Sequence, residues 1–399
     1  MTSDLAQGAG QGARADMPAW QNLRVAVNAT SLWRPLAGIG QYTWNIAQQW
    51  AKEGRPQAQY FYGNDWSPVA APRLSPGLGP LKRMVKRIVP RPYEITRALL
   101  QRRFDRRPPG CEVYLEPSFL PFRFDGPVVL TVHDLSHVRY AATHPSDRVR
   151  ILAKLLPLAI ERAAHILTVS NFQRDEIIEV FGVAPQRVTA CHLGVSAEFR
   201  PRAQDACDPV LARHGLRYRG FLLTVGTLEP RKNLSLTLRA YADLPAPIRD
   251  HCPLVVVGMR GWNTASVAPR LRALVQSGAV RALGFVDEAE LPSIYSAARI
   301  FLYPSLYEGF GLPALEAMAS GVPVIVSNRS SLPEVVGGAG IQIDPEDAAA
   351  LCLAIQRLHD DPAAWQQHAL AGLARAREFT WSRCAAVTAA VLARAAGRA

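Results

Sequence analysis

The chain reads as an α/β protein built from two doubly wound parallel sheets that face one cleft. Three observations predict this. Apolar runs of strand length alternate with helical stretches, and the alternation starts afresh halfway along. Strands run into glycine-bearing turns that open helices, at Gly38 and Gly40, at Gly226, and at Gly309 and Gly311. The length, 399 residues at 49% hydrophobic content, suffices for two cores of ordinary size.

Residues 1–22 are mostly small and polar, without the apolar stretch of a secretory leader. They are expected to be a disordered tail on a cytoplasmic protein. The run 23–28, LRVAVN, is the first strand. In the following ATSLWRPLAGIGQYTW, Gly38 and Gly40 flank Ile39 in a tight loop, and a helix over 42–52 stops at Gly54. A strand, a glycine loop and a helix start suit a diphosphate, although a G-x-G by itself is more often only a turn. Arg34 adds a cation to that loop. Residues 113–115 and 127–132 are strands, the second ending at His133 in T-V-H-D-L. Ligands gather at the carboxyl ends of strands in such sheets, which raises His133 above an ordinary structural histidine. His137 and His144 are read as surface or packing residues. A helix over 148–164 interrupted at Pro157, a strand over 165–169, a helix capped by Ser170 and a strand over 188–192 follow. The Pro- and Arg-rich stretch 194–220 is a connector, so one domain is assigned to 23–205 and the other to 206–380.

Strand 221–225 opens the second half and enters GTLEPRKNLSL. Gly226 makes the turn, and Arg231 and Lys232 precede a helix capped near Asn233. Cations at a helix start oppose its dipole, a local cost that a bound anion would offset; plain surface charge is the alternative. Residues 254–257 and 282–286 are strands, and 288–298 a helix. Then comes the stretch richest in chemistry, PSLYEGFGLPALEAMASGVPVIVSNRSSLPE, 304–334. Strand 299–303 feeds its turn, a helix runs from near Pro313 to Gly321, and 322–326 is the next strand. Without a Cβ, Gly309 and Gly311 let the backbone bend and approach a ligand. Pro313 fits the first helical position, and the helix behind it offers free N–H groups to phosphate. Glu308 and Glu316 frame the turn with seven residues between them. Glu316 can accept bonds from adjacent hydroxyls such as those of a ribose, and Glu308 from a second polyol. Either carboxylate alone is explained by solvent or by the helix dipole; the ensemble is not. Glu334 begins a short helix, and 344–358, 363–377 and 381–394 are helical.

E-G-F-G-L-P-A-L-E-A-M-A-S-G-V-P-V resembles the E-x7-E signature of retaining glycosyltransferases of family 4, group 1, which have the two-Rossmann-domain GT-B fold. V-G-T-L-E-P-R-K-N-L resembles the donor-phosphate element of that family, and its R-K-N and T-L-E-P resemble bacterial mannosyltransferases. The resemblance implies that the last helix, 381–399, crosses back onto the first domain. It implies a hexosyltransferase moving mannose from GDP-mannose onto a hydroxyl of a saccharide or lipid-linked saccharide in surface-polysaccharide or lipopolysaccharide assembly, with a UDP-sugar as the alternative donor. It further implies that Gly38 and Gly40 face the donor diphosphate and that His133 touches the transferred sugar or the acceptor. Gly226, Thr227, Arg231 and Lys232 would hold the phosphates. Thr227 stands where many members carry arginine, which leaves more of the charge to Arg231. Backbone at Phe285 and Val286 would read the base. Glu308 would hold the sugar hydroxyls and Glu316 the ribose, and Gly309, Phe310, Gly311 and Leu312 would belong to the donor-binding site. His133, Glu308, Arg231 and Lys232 form the expected catalytic set.

Net charge is +12, which favours an anionic partner. Ten cations lie in 82–107, opposed only by Glu94 and Asp105 and interleaved with Leu81, Met84, Val85 and Ile88 at helical spacing. This predicts basic amphipathic segments peripheral on the anionic inner face of a cell membrane; a solvated basic face is the alternative. No nucleic-acid recognition motif accompanies the charge, so nucleic acid is not expected as a partner. No apolar run reaches the ~18 residues of a membrane span. The six cysteines form no C-x-x-C pair, which suggests neither a zinc site nor a disulfide framework. No D-x-D occurs, so cationic side chains rather than a metal are expected at the diphosphate, and no cofactor beyond the nucleotide-sugar substrate. Gly309-x-Gly311-x-x-Ala314 matches a dinucleotide fingerprint in form but not in context, because Asn328 stands where an acid is wanted. A nucleotide-sugar epimerase of the same fold is the competing enzyme class, and a lectin-like binder the non-enzymatic one. An epimerase would act on the donor without an acceptor.

Overall fold

The computed structural model describes residues 20–34, 36, 38–74, 92–259, 261 and 267–398. The tail up to residue 19 and the basic stretch 75–91 lie outside them, as does the side chain of Arg34.

The first sheet contains β1 (Arg24–Asn28), β2 (Gln57–Phe61), β3 (Trp66–Ser67), β4 (Val113–Glu116), β5 (Val128–Val132), β6 (His165–Thr168) and β7 (Val188–Ala190). Their order is β3-β2-β1-β4-β5-β6-β7, with only β3 antiparallel. The second contains β8 (Leu222–Val225), β9 (Leu254–Val257), β10 (Val280–Gly284), β11 (Ile300–Tyr303), β12 (Val324–Ser327) and β13 (Ile341–Ile343). Its order is β10-β9-β8-β11-β12-β13, all parallel. Each sheet therefore reverses its winding beside its first strand, between β1 and β4 and between β8 and β11. Crevices open outside the carboxyl ends of the strands at such points. Helices cover both faces, which is why LVVV of β9 and IFLY of β11 are buried along their whole length.

The last helix, Trp381–Ala395, returns to the first sheet and lies on the helix Gly38–Glu53. Small residues make this possible. Ala385 and Ala389 are buried beside Tyr42, Ile46 and Trp50, and the Trp50 indole donates to the Ala385 carbonyl at 3.2 Å. A Cβ on Gly194 would lie 2.1 Å from the Trp381 nitrogen, so only glycine lets the two segments pass. One apolar cluster runs through both halves, from Val25 and Leu115 to Leu223 and Phe301. Each such fully buried side chain contributes about 1.5–3 kcal/mol.

Several expectations need correction. The helix predicted over 42–52 begins at Gly38, so Gly38 and Gly40 form its first turn rather than a loop. Gly40 is required there by contact, since a Cβ would stand 2.7 Å from the Ser31 carbonyl oxygen. Trp20, assigned to the disordered tail, packs against the core, and its carbonyl accepts from the Leu23 amide at 3.2 Å. Pro157 sits inside an unbroken helix, Ser146–Arg162. The connector contains the helix Gln204–Arg213, which packs on the helix Leu291–Ala297 of the second half. The strand expected over 282–286 is β10, which ends at Gly284 and leaves Phe285 and Val286 in the turn. β2 escaped the sequence reading because its polar Gln57 and Gln59 mask a half-buried edge-side run.

Candidate active site

Two turns at the switch point of the second sheet meet across it. The first leaves β8 through Gly226, whose φ of 154° lies in the region that favours glycine. It continues through the short 3-10 turn Pro230–Lys232. The second leaves β11 and carries Glu308 into the helix Leu312–Ala319. Lys232 Nζ donates to both carboxylate oxygens of Glu308, at 2.7 and 2.9 Å, and to the Tyr303 hydroxyl at 2.6 Å. Arg231 Nη1 donates to Glu308 Oε2 at 3.0 Å and to the Tyr307 carbonyl, while Nη2 donates to Glu229 at 2.6 Å. Glu308 is 6% exposed. Burial alone would push its carboxyl up, but Lys232, then Arg231, bring it down to about 2. The same carboxylates work against the desolvation of Arg231 and hold it well above the ordinary range. For Lys232 burial wins and the pKa falls, with Glu308 opposing. The result is an ionised, immobilised carboxylate, a group suited to accept from two sugar hydroxyls.

The first domain supplies the facing wall. His133, at the end of β5, lies with its backbone against the Glu308 loop, since a Cβ on Gly309 would come within 2.1 Å of the His133 carbonyl oxygen. Gly309 is the residue that permits this approach. The His133 ring stands edge-on to Tyr42 at 5.0 Å, and Nε2 bonds the Pro117 carbonyl at 2.8 Å. A carbonyl can only accept, so the proton sits on Nε2 and the Nδ1 lone pair is left to receive a hydroxyl. Burial lowers the His133 pKa despite the Pro117 bond and Asp134, so the ring is neutral at pH 7. Asp134, which the sequence reading did not single out, is held below its usual range against its burial by Arg231 of the other domain and by Ser136. Ser170 caps the helix Asn171–Phe181 as expected, and its hydroxyl also donates to the Gly309 carbonyl at 2.7 Å.

The helix Leu312–Ala319 starts at Gly311, with φ of 118° and no side-chain cap. Its positive end is available to an anion. Glu316 on this helix shares no hydrogen bond with the Glu308 group; its carboxyl is pushed up to about 7 by burial, with Tyr295 opposing. Phe310 is buried against His192 and Phe379, so only its backbone can serve a ligand. Val286 is likewise buried, Phe285 is 56% exposed, and Leu312 packs against the core. Gly226 lies over the Lys232 stem, where a Cβ would sit 3.7 Å from Cε. The Thr227 methyl would meet a Cβ on Gly261 at 2.9 Å. Gly38 is exposed at the first turn of its own helix, outside the hydrogen-bonded group.

Three expectations change in detail. Arg231 is 8% exposed, and both terminal nitrogens of its guanidinium are engaged, Nη1 by Glu308 and the Tyr307 carbonyl and Nη2 by Glu229, while Nε has no partner among the described residues. Asn233 adopts a left-handed conformation with φ of 55° and gives no side-chain cap; its amide instead donates to the Pro304 and Pro345 carbonyls at 3.1 and 2.7 Å. Glu334 joins the domains, accepting from the Asn171 and Phe172 amides at 2.8 and 3.0 Å and bonding His192 at 2.6 Å. Glu229 and Tyr303 were missed too, although each lies within five residues of Lys232 or Glu308 in sequence. Among the described residues no group of three or more His, Cys, Asp or Glu is placed to hold a metal ion.

Comparison with known proteins agrees with this geometry. Residues 36–199 match the family described as Glycosyltransferase Family 4, and residues 216–375 match Glycosyl transferases group 1. The O-antigen chain mannosyltransferase B of Escherichia coli is 44% identical over 279 residues, 69% of this chain and 72% of that protein. Sucrose-phosphate synthase from Thermosynechococcus elongatus superposes with a TM-score of 0.71 at 23% identity, covering 92% of this chain and 97% of the other. Anabaena HepE in complex with UDP-glucose gives 0.70 at 17% identity, covering 92% and 99%. These two likenesses establish the GT-B fold. With both halves matched and the paired sheets meeting at a carboxylate held by two cations, the chain belongs to the group 1 glycosyltransferases of family 4, nucleotide-sugar-dependent hexosyltransferases.

Proposed function

We propose that this enzyme transfers mannose from GDP-mannose, with retention of anomeric configuration, to a hydroxyl of a saccharide or lipid-linked saccharide during surface-polysaccharide assembly. The observation that carries the reading is Glu308, kept ionised and fixed by Lys232 and Arg231 opposite His133. Mannose rests on the 44% identity to the E. coli O-antigen enzyme. As the glycosidic bond breaks, the departing diphosphate gains negative charge. Lys232 and the uncapped start of the helix Leu312–Ala319 are fixed positive partners for it, so the scheme uses no metal and no further cofactor. Glu308 holds sugar hydroxyls, Glu316 the ribose, and His133 accepts from a hydroxyl through Nδ1. Thermal-shift screening against GDP-, UDP-, ADP- and dTDP-sugars tests the donor. GDP-mannose should raise the melting temperature. Stabilisation by none of them sinks the donor site, and stabilisation by UDP-sugars alone overturns only mannose and GDP.

The acceptor side favours a membrane surface. The helix Pro92–Phe104 exposes Ile95 and Leu99 together with Arg102 and Arg103. Apolar side chains beside cations suit an anionic bilayer, which supports the reading of an enzyme peripheral on the inner face of the cell membrane. Among the described residues no helix is long and apolar enough to cross one. Sedimentation with anionic vesicles should lose the protein when Lys86, Arg87, Arg102 and Arg103 become glutamine; unchanged sedimentation removes the membrane reading.

A further inference from the structure

The residue directly before Glu308 belongs to one domain and is seated in the other. Tyr307 is 3% exposed. Its ring lies against Tyr140 and Phe172 of the first domain, with centroids 5.5 and 5.9 Å away. Its hydroxyl has its bonding capacity filled there. It accepts from Gln173 Nε2 at 2.7 Å and from the Leu135 amide at 3.1 Å, and it donates to Glu176. Glu176 is in turn held by Arg139 Nε at 2.7 Å.

The other end of the same residue reaches the reacting centre. The Tyr307 carbonyl accepts from Arg231 Nη1, the nitrogen that also holds Glu308 Oε2 at 3.0 Å. The residues on either side are gripped as well. Tyr140 donates to the Leu306 carbonyl at 3.3 Å, and Ser170 to the Gly309 carbonyl at 2.7 Å. A line of bonds thus runs from Arg139 and Glu176 of the first domain, through Tyr307, to Arg231 and Glu308 of the second. Separation of the domains would trade these three bonds, one of them to a carboxylate, for bonds to water, so the phenol adds a net preference for the arrangement in which the domains approach.

We propose that Tyr307 is a positioning residue that couples the approach of the two domains to the geometry of the Arg231–Glu308 pair. When the domains separate, the phenol loses its three partners and the segment carrying Glu308 relaxes. When they close, the segment is drawn back into register. This rests on the reading of Glu308 as the group that holds the donor sugar.

The test uses the full chain with Tyr307→Phe and Glu176→Gln, singly and combined. Tyr307→Phe keeps the ring in its seat, and Glu176→Gln probes the same bond from the opposite domain, so the answer does not depend on a variant that unfolds. Loss of a bond to a charged group is expected to lower kcat roughly tenfold to a hundredfold. Calorimetric affinity for the free nucleoside diphosphate should stay within about twofold. The double variant should be no worse than the poorer single one, because the two act as a unit. Hydrogen exchange at amides 306–309 should quicken in Tyr307→Phe. Wild-type kcat together with unchanged exchange overturns the proposal. So does a parallel fall of kcat, affinity and melting temperature, the mark of general packing loss. If the wild-type chain turns over no nucleotide sugar, the Glu308 reading fails instead, and exchange at 306–309 still decides the coupling.

Discussion

Replacing Lys232 by methionine keeps the stem and removes the charge. The Nζ bonds to Glu308 at 2.7 and 2.9 Å and to Tyr303 at 2.6 Å disappear, while Arg231 stays 3.0 Å from Glu308. The Glu308 carboxyl moves from 4.5 to about 2 in the folded protein, with burial opposing and Lys232 then Arg231 overcoming it. A shift of that size is worth roughly 3 kcal/mol at neutral pH. Because the folded pKa is depressed, this stability is present above pH 4.5 and is lost as pH falls towards 2. Arg231 retains a share, so the variant should lose about 2 kcal/mol at pH 7. The deficit should shrink as the pH is lowered from 4.5 towards 2, as the carboxyl takes up its proton in wild type as well. Catalysis should suffer more, by about a hundredfold to a thousandfold in kcat, the usual cost of removing one fixed stabiliser of developing charge. Urea unfolding at several pH values and steady-state transfer assays measure both effects. A kcat within about threefold of wild type would refute the assignment of Lys232 to the leaving group.

Three further outcomes are expected. Burial pushes the Glu316 carboxyl up to about 7, and a ribose diol is best bound by the ionised form, so nucleoside diphosphate affinity should rise with pH through about 7 and level off above it. Glu316→Gln should flatten that profile in calorimetry. Gly309→Ala places a Cβ 2.1 Å from the His133 carbonyl oxygen, which forces the Glu308 loop away from the first domain. Transfer activity should fall more steeply than in Gly38→Ala, where the added Cβ meets nothing within 4 Å. Glu334→Ala strips acceptors from the Asn171 and Phe172 amides and should cost about 1–2 kcal/mol in chemical denaturation, as loss of a helix cap does. An unchanged midpoint would show that solvent replaces the carboxylate there.

Much was legible in the order of residues because its signals are local. Apolar runs such as LVVV at 254–257 mark buried strands wherever they fold, since both faces must be covered. The glycines at 309 and 311 and the proline at 313 prescribe a bend followed by a helix, and the structure places that helix over Leu312–Ala319. The E-x7-E stretch with R-K-N named the family for the same reason: the chemistry sits in two short segments. Two kinds of feature escaped. Gly38 and Gly40 looked like a loop because glycine disfavours helix, yet packing of the helix Gly38–Glu53 on the last helix overrides that preference. Asp134, Glu229 and Tyr303 carry no signal of their own and gain meaning only from what stands opposite them.

By itself, then, the sequence determined the alternating α/β architecture, the glycine turns at the strand ends and the identity of the charged residues beside them. Tertiary structure alone decided how those charges are spent. It folded Arg231 between Glu229 and Glu308. It seated Tyr307 in a domain whose contacting residues lie more than 130 positions away, at Gln173 and Glu176. Local rules cannot reach such pairs, because a carboxylate's pKa and a hydroxyl's partners depend on distances in space that chain separation does not encode.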